Sequence, residues 1–240
     1  MKAEVDANAE LVREARQQKY KSVAGARQVA ATTTAATMSF EGGTHGQRTK
    51  RSETRSEEAE EGQEEIVFRL ETERLYIRPW TPEDRPAFTA LTYDSEVMKY
   101  VHGGRPYSEA EVDEWFSRHE RQMRELDVCM GAMIEKSSGR LVGIAGTQPL
   151  GTTGDLEIGW WLAREVWGRG YATEAGGAAM RHVLETLQRP RVVAIIDPPN
   201  EASKRVVARL GLEYKKTVTG AELGHRRPEI VVDYFVRERQ

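Results

Sequence analysis

Residues Leu156 to Ala175, LEIGWWLAREVWGRGYATEA, constrain this chain more than any other stretch. The apolar run Leu156-Glu157-Ile158-Gly159-Trp160-Trp161-Leu162 reads as a strand. A turn carrying Gly168 and Gly170 follows it, and a helical pattern starts directly after. Strand, glycine turn and helix start in succession leave several backbone N–H groups unpaired and pointing one way. Such a junction is a ready seat for an anion, most often a phosphate. A P-loop would need Gly-x-x-x-x-Gly-Lys-Ser/Thr, which is absent. The run Gly168-Arg169-Gly170-Tyr171-Ala172-Thr173 lacks the third glycine of the dinucleotide fingerprint, which in any case belongs to a first βα unit.

Composition narrows the setting. The chain of 240 residues is 39% apolar and 30% charged, with a net charge of −3. No global basic field points to nucleic acid. No apolar run approaches the ~18 residues of a membrane span. One cysteine, Cys129, excludes an intramolecular disulfide and fits a reducing compartment. The five histidines show no metal-ligand spacing with it. The N-terminus lacks a secretory apolar core, and Glu4, Asp6, Glu10 and Glu14 argue against an organellar transit peptide. The expectation is a soluble cytoplasmic protein with no metal, no nucleic-acid partner and no membrane partner.

Residues 1–65 read as a disordered N-terminal extension. Apolar side chains larger than Ala are scarce there, so burial cannot offset the entropy of ordering. Residues 66–240 are of a length that suits one domain. Within it, Arg74 to Arg78 alternates as a strand, and Thr81-Pro82-Glu83-Asp84 opens a helix over 82–92. Ser108-Glu109-Ala110-Glu111 is a capping box, and Val112, Trp115, Phe116, His119 and Met123 share one face of the helix behind it. Cys129–Ile134 and Leu141–Thr147 form a hairpin around Ser137-Ser138-Gly139. After the opening stretch, a helix runs from Gly170 to about Thr186. Its Gly176-Gly177 calls for a close helix–sheet contact. Arg191–Ile196 is a buried strand, Asn200 caps a helix ending at Gly211, and 212–218 and 230–236 are the last strands. The order β-α-α-β-β-β-α-β-α-β-β predicts a mixed α/β (α+β) domain.

Four segments together resemble a known superfamily. Gly159-Trp160-Trp161-Leu162, Trp167 through Ala175, Asn200-Glu201-Ala202-Ser203 and Leu210-Gly211-Leu212 are similar to the GNAT N-acetyltransferases, and most to the branch that acetylates ribosomal-protein N-termini. The resemblance spans about residues 68–238. It implies a mostly antiparallel central sheet, splayed in a V between its middle strands and flanked by helices on both faces. It also implies acetyl-CoA as cosubstrate and an amine acceptor, either a peptide N-terminus or a small molecule, in a monomer or a homodimer.

The resemblance further assigns roles. Backbone N–H groups of Arg169, Gly170, Tyr171, Ala172 and Thr173 are expected to hold the CoA pyrophosphate. Trp167 stands where the family usually has Gln or Arg. The pantetheine arm is expected to pair with backbone of Trp160, Trp161 and Leu162, with Asn200 on its other side. A backbone N–H of Trp161 or Leu162 is the candidate for polarising the thioester carbonyl. Glu157 is the candidate base acting through water, raised by its apolar neighbours. Ser203 is the candidate acid at the CoA sulfur.

Plainer readings stand beside these. Glu157 on an alternating strand would face solvent, and Ser203 would be an ordinary first-turn residue. Trp160 and Trp161 point to opposite faces, so at least one belongs to the core. Tyr100, His102 and Tyr107 are either acceptor-wall residues or ordinary loop. Arg226-Arg227 reads as solvated loop charge or as a contact for an acidic acceptor, and Cys129 as a buried thiol. The same fold without turnover would make an acyl-CoA-binding regulatory protein, the alternative to an enzyme.

Overall fold

The computed structural model describes residues 70–240; the expected disordered extension 1–65 lies outside the described residues. Eight strands form one sheet among them, in the order β1-β2-β3-β4-β5-β6-β8-β7. They are β1 (Leu70–Glu71), β2 (Leu75–Arg78), β3 (Met130–Glu135), β4 (Leu141–Pro149), β5 (Leu156–Leu162), β6 (Arg191–Ile196), β7 (Glu213–Thr219) and β8 (Val231–Glu238). The helices are α1 (Arg85–Thr92), α2 (Ser95–Met98), α3 (Glu109–Leu126), α4 (Tyr171–Arg181) and α5 (Glu201–Arg209). The expected order holds, with two short additions, β1 and α2. The opening of the helix expected over 82–92 is a 3-10 turn, Pro82–Asp84. The helix after Gly170 leaves α geometry at Arg181 and finishes as a π-helical turn, His182–Thr186. Cys129 sits just before β3 rather than in it; it is buried, and burial pushes its thiol up to about 12.

Neighbouring strands are antiparallel except β5 and β6. A parallel step needs a crossover, which α4 supplies. β4 and β5 pair over their length from Gly143↔Leu162 to Pro149↔Leu156. β5 and β6 register only at Glu157↔Val193. The sheet is therefore open beyond that point, and the V lies between the C-terminal half of β5 and β6.

Alternation along β5 sends its side chains to two layers. Leu156 and Ile158 pack with Ala179, Val183, Val192, Val207 and Leu210 under α4 and α5. Trp161 points the other way, into a cluster with Phe88, Tyr107, Val112 and Trp115 from α1, α3 and the loop between. Helices thus cover both faces. α4 lies close on the sheet because Gly176 has no side chain: a Cβ there would come within 3.0 Å of both Trp160 and Leu210. The Ser108 box starts α3 as read, with Glu111 Oε2 accepting Ser108 N–H at 2.9 Å, and Val112, Trp115 and His119 are the buried members of its stripe.

Candidate active site

The turn between β5 and α4 is built to stay open. Gly168 and Gly170 have φ of +75° and +81°, a left-handed region that side chains with a Cβ rarely enter. Gly170 is the N-cap of α4, so the first N–H groups of that helix face out of the turn. A carboxylate cluster fixes the turn from behind. Glu174 accepts from Arg74 N at 2.9 Å, from Arg74 Nε at 2.7 Å and from the Thr72 hydroxyl. Arg74 Nη1 also donates to the Arg169 carbonyl at 3.0 Å. Tyr171 donates its hydroxyl to Glu135 at 2.7 Å.

In front of the turn lies a cleft of about 1010 Å³. It brings together Trp160, Trp161 and Leu162 of β5, Arg169 through Thr173 of the turn and α4, and Asn200 and Ser203 of α5. Of the expected site residues, only Glu157 is not in its lining. Lys99, Arg205 and Arg209 also line it and were not read from sequence. Arg205 and Arg209 sit one helical turn apart behind the Asn200 cap, a spacing that the sequence does show. Asn200 Oδ1 accepts the Ser203 N–H at 3.1 Å, which caps α5 and places Ser203 in its first turn. The Ser203 hydroxyl makes no hydrogen bond among the described residues.

The backbone of β5 divides its polar groups by register. Ala163 N–H donates to Val142 O at 3.0 Å. Alternate residues in an antiparallel pair turn both backbone groups to one neighbour. Trp161 therefore turns its N–H and C=O toward β4, and Trp160 and Leu162 turn theirs toward the V. This corrects the choice between Trp161 and Leu162: the N–H of Trp161 is spent in the sheet. Trp167, half exposed, donates its Nε1–H to the Leu162 carbonyl at 2.8 Å. Where a Gln or Arg was expected, an indole thus ties the end of β5 to the turn.

Glu157 is buried at the closed end of the V, on the Trp161 face of β5, and does not face solvent. Burial pushes its carboxyl up to about 7, opposed by the Gln148 side chain, 3.4 Å away, and by the Arg226 charge. His102 stacks on Tyr107 with ring centroids 3.9 Å apart, and Tyr107 belongs to the core cluster around Trp161. Tyr100 lines the cleft and donates its hydroxyl to the Pro199 carbonyl at 3.4 Å. Among the described residues no group of three or more His, Cys, Asp and Glu side chains could hold a metal ion, and no helix is long and apolar enough to cross a membrane.

A sheet splayed at one parallel junction, with a helix N-terminus at its mouth, defines an acyl-CoA transferase fold. The acetyltransferase (GNAT) domain matches residues 74–213, and the chain belongs to that family. Among its relatives, the uncharacterized protein YkkB of Bacillus subtilis is 31% identical over 153 residues, 62% of this chain and 88% of its own. The FsC-acetyl coenzyme A-N(2)-transacetylase of Aspergillus fumigatus is 30% identical over 159 residues, 62% of this chain and 66% of its own. Among solved structures, RimL, a ribosomal α-N-protein acetyltransferase in complex with coenzyme A, superposes with a TM-score of 0.59 at 17% identity, over 72% of this chain and 98% of its own. At that identity the likeness is one of fold.

Proposed function

We propose that this chain binds acetyl-CoA in the cleft between β5 and α5 and transfers the acetyl group to a primary amine by direct attack. The observation that carries the reading is the single Glu157↔Val193 register pair, which opens the sheet beside the helix start at Gly170. The N–H groups from Gly170 to Thr173 supply donors for the pyrophosphate, the Arg169 N–H being turned back to the Val166 carbonyl at 3.4 Å, and Lys99, Arg205 and Arg209 supply positive charge at the rim. The V accepts the pantetheine arm as an added strand against the backbone groups of Trp160 and the N–H of Leu162, whose carbonyl is taken by Trp167.

Attack on a thioester needs a neutral amine, a donor to the developing oxyanion and a proton for the departing thiolate. Leu162 N–H, or Trp160 N–H two residues deeper, is the donor. Glu157, held near 7, takes the amine proton through water. Ser203, with its hydroxyl uncommitted, hydrogen-bonds the sulfur as it leaves. Positioning of the two reactants supplies a large share of the rate. Acetyl-CoA titration combined with a thiol-release assay over a panel of amines tests this. Binding with release supports it, binding without release over the whole panel favours a non-catalytic acyl-CoA-binding protein, and no binding overturns both.

A further inference from the structure

The Trp161 face of β5 carries a group of donors that the acetyl-CoA cleft does not use. Trp115 packs edge-on to Trp161 at 5.3 Å, is buried, and its Nε1–H has no hydrogen-bond partner among the described residues. The Arg118 guanidinium lies over the Trp115 ring at 5.0 Å, with its side chain only 16% exposed. Its one ion pair among the described residues is a long one, 3.7 Å to Glu114. Glu111, two turns back on the same helix, is already taken by Arg105 at 3.0 and 2.6 Å. Tyr107, 6.0 Å from Trp161 and 5.8 Å from Trp115, makes no hydrogen bond through its hydroxyl among the described residues.

The segment between β7 and β8 brings a second arginine to the same place. It docks at one side where Thr152 N–H donates to the Leu223 carbonyl at 3.1 Å. At the other side Arg227 reaches the loop beside His102: a Cβ on Gly103 would lie 3.8 Å from Arg227 Nη1. Arg226, between these anchors, pairs with no carboxylate among the described residues. Its charge acts on Glu157, Tyr107, Arg118 and His119 alike. Burial, and after it the Arg226 charge, pulls the Arg118 guanidinium down to about 10, so it stays charged at neutral pH.

Arg226 thus stands within electrostatic reach of the buried Glu157 carboxyl and of Arg118, on the face of β5 where Trp115 and Tyr107 hold two uncommitted donors. Of the two cations Arg118 is the desolvated one, and a buried charge is stabilised by a partner of the other sign, while the exposed Arg226 adds attraction for the same partner. We propose that the amine acceptor carries a carboxylate, which Arg118 and Arg226 bind while its amine faces Glu157. This rests on the acetyl-transfer reading and names its substrate class: acidic amines, such as peptides with Asp or Glu at the N-terminus.

The test uses acceptor pairs differing only in carboxylate against carboxamide, such as aspartyl and asparaginyl peptides. They are assayed by thiol release at saturating acetyl-CoA in the full chain, Arg226→Gln and Arg118→Gln. The expected result is a KM about tenfold lower for the acid, the scale of a charge-assisted hydrogen bond, shrinking as salt rises. In Arg226→Gln the ratio of the two KM values, acid against carboxamide, falls toward one. Because Arg226 is exposed, that variant keeps the test valid even where Arg118→Gln fails to fold. Equal KM values in the native chain, turnover confined to amines lacking a carboxylate, or a preference that survives Arg226→Gln would overturn the proposal. Those failures leave acetyl-CoA binding intact, whereas loss of acetyl-CoA binding by the native chain is failure of the acetyl-transfer reading itself.

Discussion

Glu157 on β5 and Val193 on β6 face each other as the register pair that joins the two halves of the sheet. Beyond that pair the strands part. The carboxyl proposed as the base is thus placed at the closed end of the V, under cover, where the charged form is disfavoured.

The placement has a consequence for pH. An ordinary carboxyl near 4.5 is raised to about 7 on folding. Such a group favours the folded state below pH 4.5, and that contribution is lost as pH climbs to 7. Above 7 the fold carries an ionised buried carboxylate at a cost on the order of 3 kcal/mol. Glu157→Gln removes it. Urea unfolding should find the variant more stable than the native chain at pH 8 and nearly equal at pH 4. The pH profile of kcat/KM should meanwhile lose its rising limb near 7, with turnover down roughly 100-fold or more. An unchanged profile would contradict the role of Glu157 as base.

Ser203 and Asn200 separate by readout. Ser203→Ala removes an uncommitted hydroxyl, so kcat should fall about tenfold or more with the KM for acetyl-CoA little changed. Asn200→Ala removes the cap on Ser203 N–H and should cost about 1 kcal/mol of stability. Steady-state kinetics and denaturant unfolding on both variants check this. A Ser203→Ala enzyme at full rate would remove Ser203 from the mechanism.

Gly176 should tolerate no larger residue. A Cβ there stands 3.0 Å from Trp160 and from Leu210, both in the packed layer under α4. Gly176→Val should destabilise the domain by about 2 kcal/mol through overpacking. Because Trp160 also lines the cleft, acetyl-CoA affinity should fall with it. Unfolding midpoints and titration of the same sample measure both effects.

Glu174 positions the turn without entering the chemistry. It holds Thr72 and Arg74, and Arg74 holds the Arg169 carbonyl. Glu174→Gln should raise the KM for acetyl-CoA several-fold, by roughly 1 kcal/mol, while kcat stays within about twofold. A loss confined to kcat would contradict this.

The parts read from sequence were those decided locally. The strand, glycine turn and helix from Leu156 to Ala175 are specified by neighbours in the chain, as are the Ser108 box and the Asn200 cap. α2 was within reach: Asp94 accepts from Glu96 and Val97 N–H at 3.0 and 3.4 Å, an ordinary capping signal before only four helical residues. β1, with two residues, offers no period to detect. Which backbone groups of Trp160, Trp161 and Leu162 face the V depends on the register of the β4–β5 hairpin, and apolar alternation does not set it. Arg118 and Arg226 are 108 positions apart in the sequence. Only the docking of the β7–β8 segment brings them within electrostatic reach of one another, which is why the sequence left Arg226 open between solvated loop charge and a contact for an acidic acceptor.

Calorimetric titration of acetyl-CoA into the full chain and into Gly170→Glu tests the central claim most directly. In Gly170→Glu a side chain and a negative charge occupy the seat at the start of α4, at a φ of +81°. The account predicts saturable one-to-one binding by the native chain and no detectable binding by a variant whose circular dichroism is unchanged. No binding by the native chain, or equal affinity in Gly170→Glu, would contradict it.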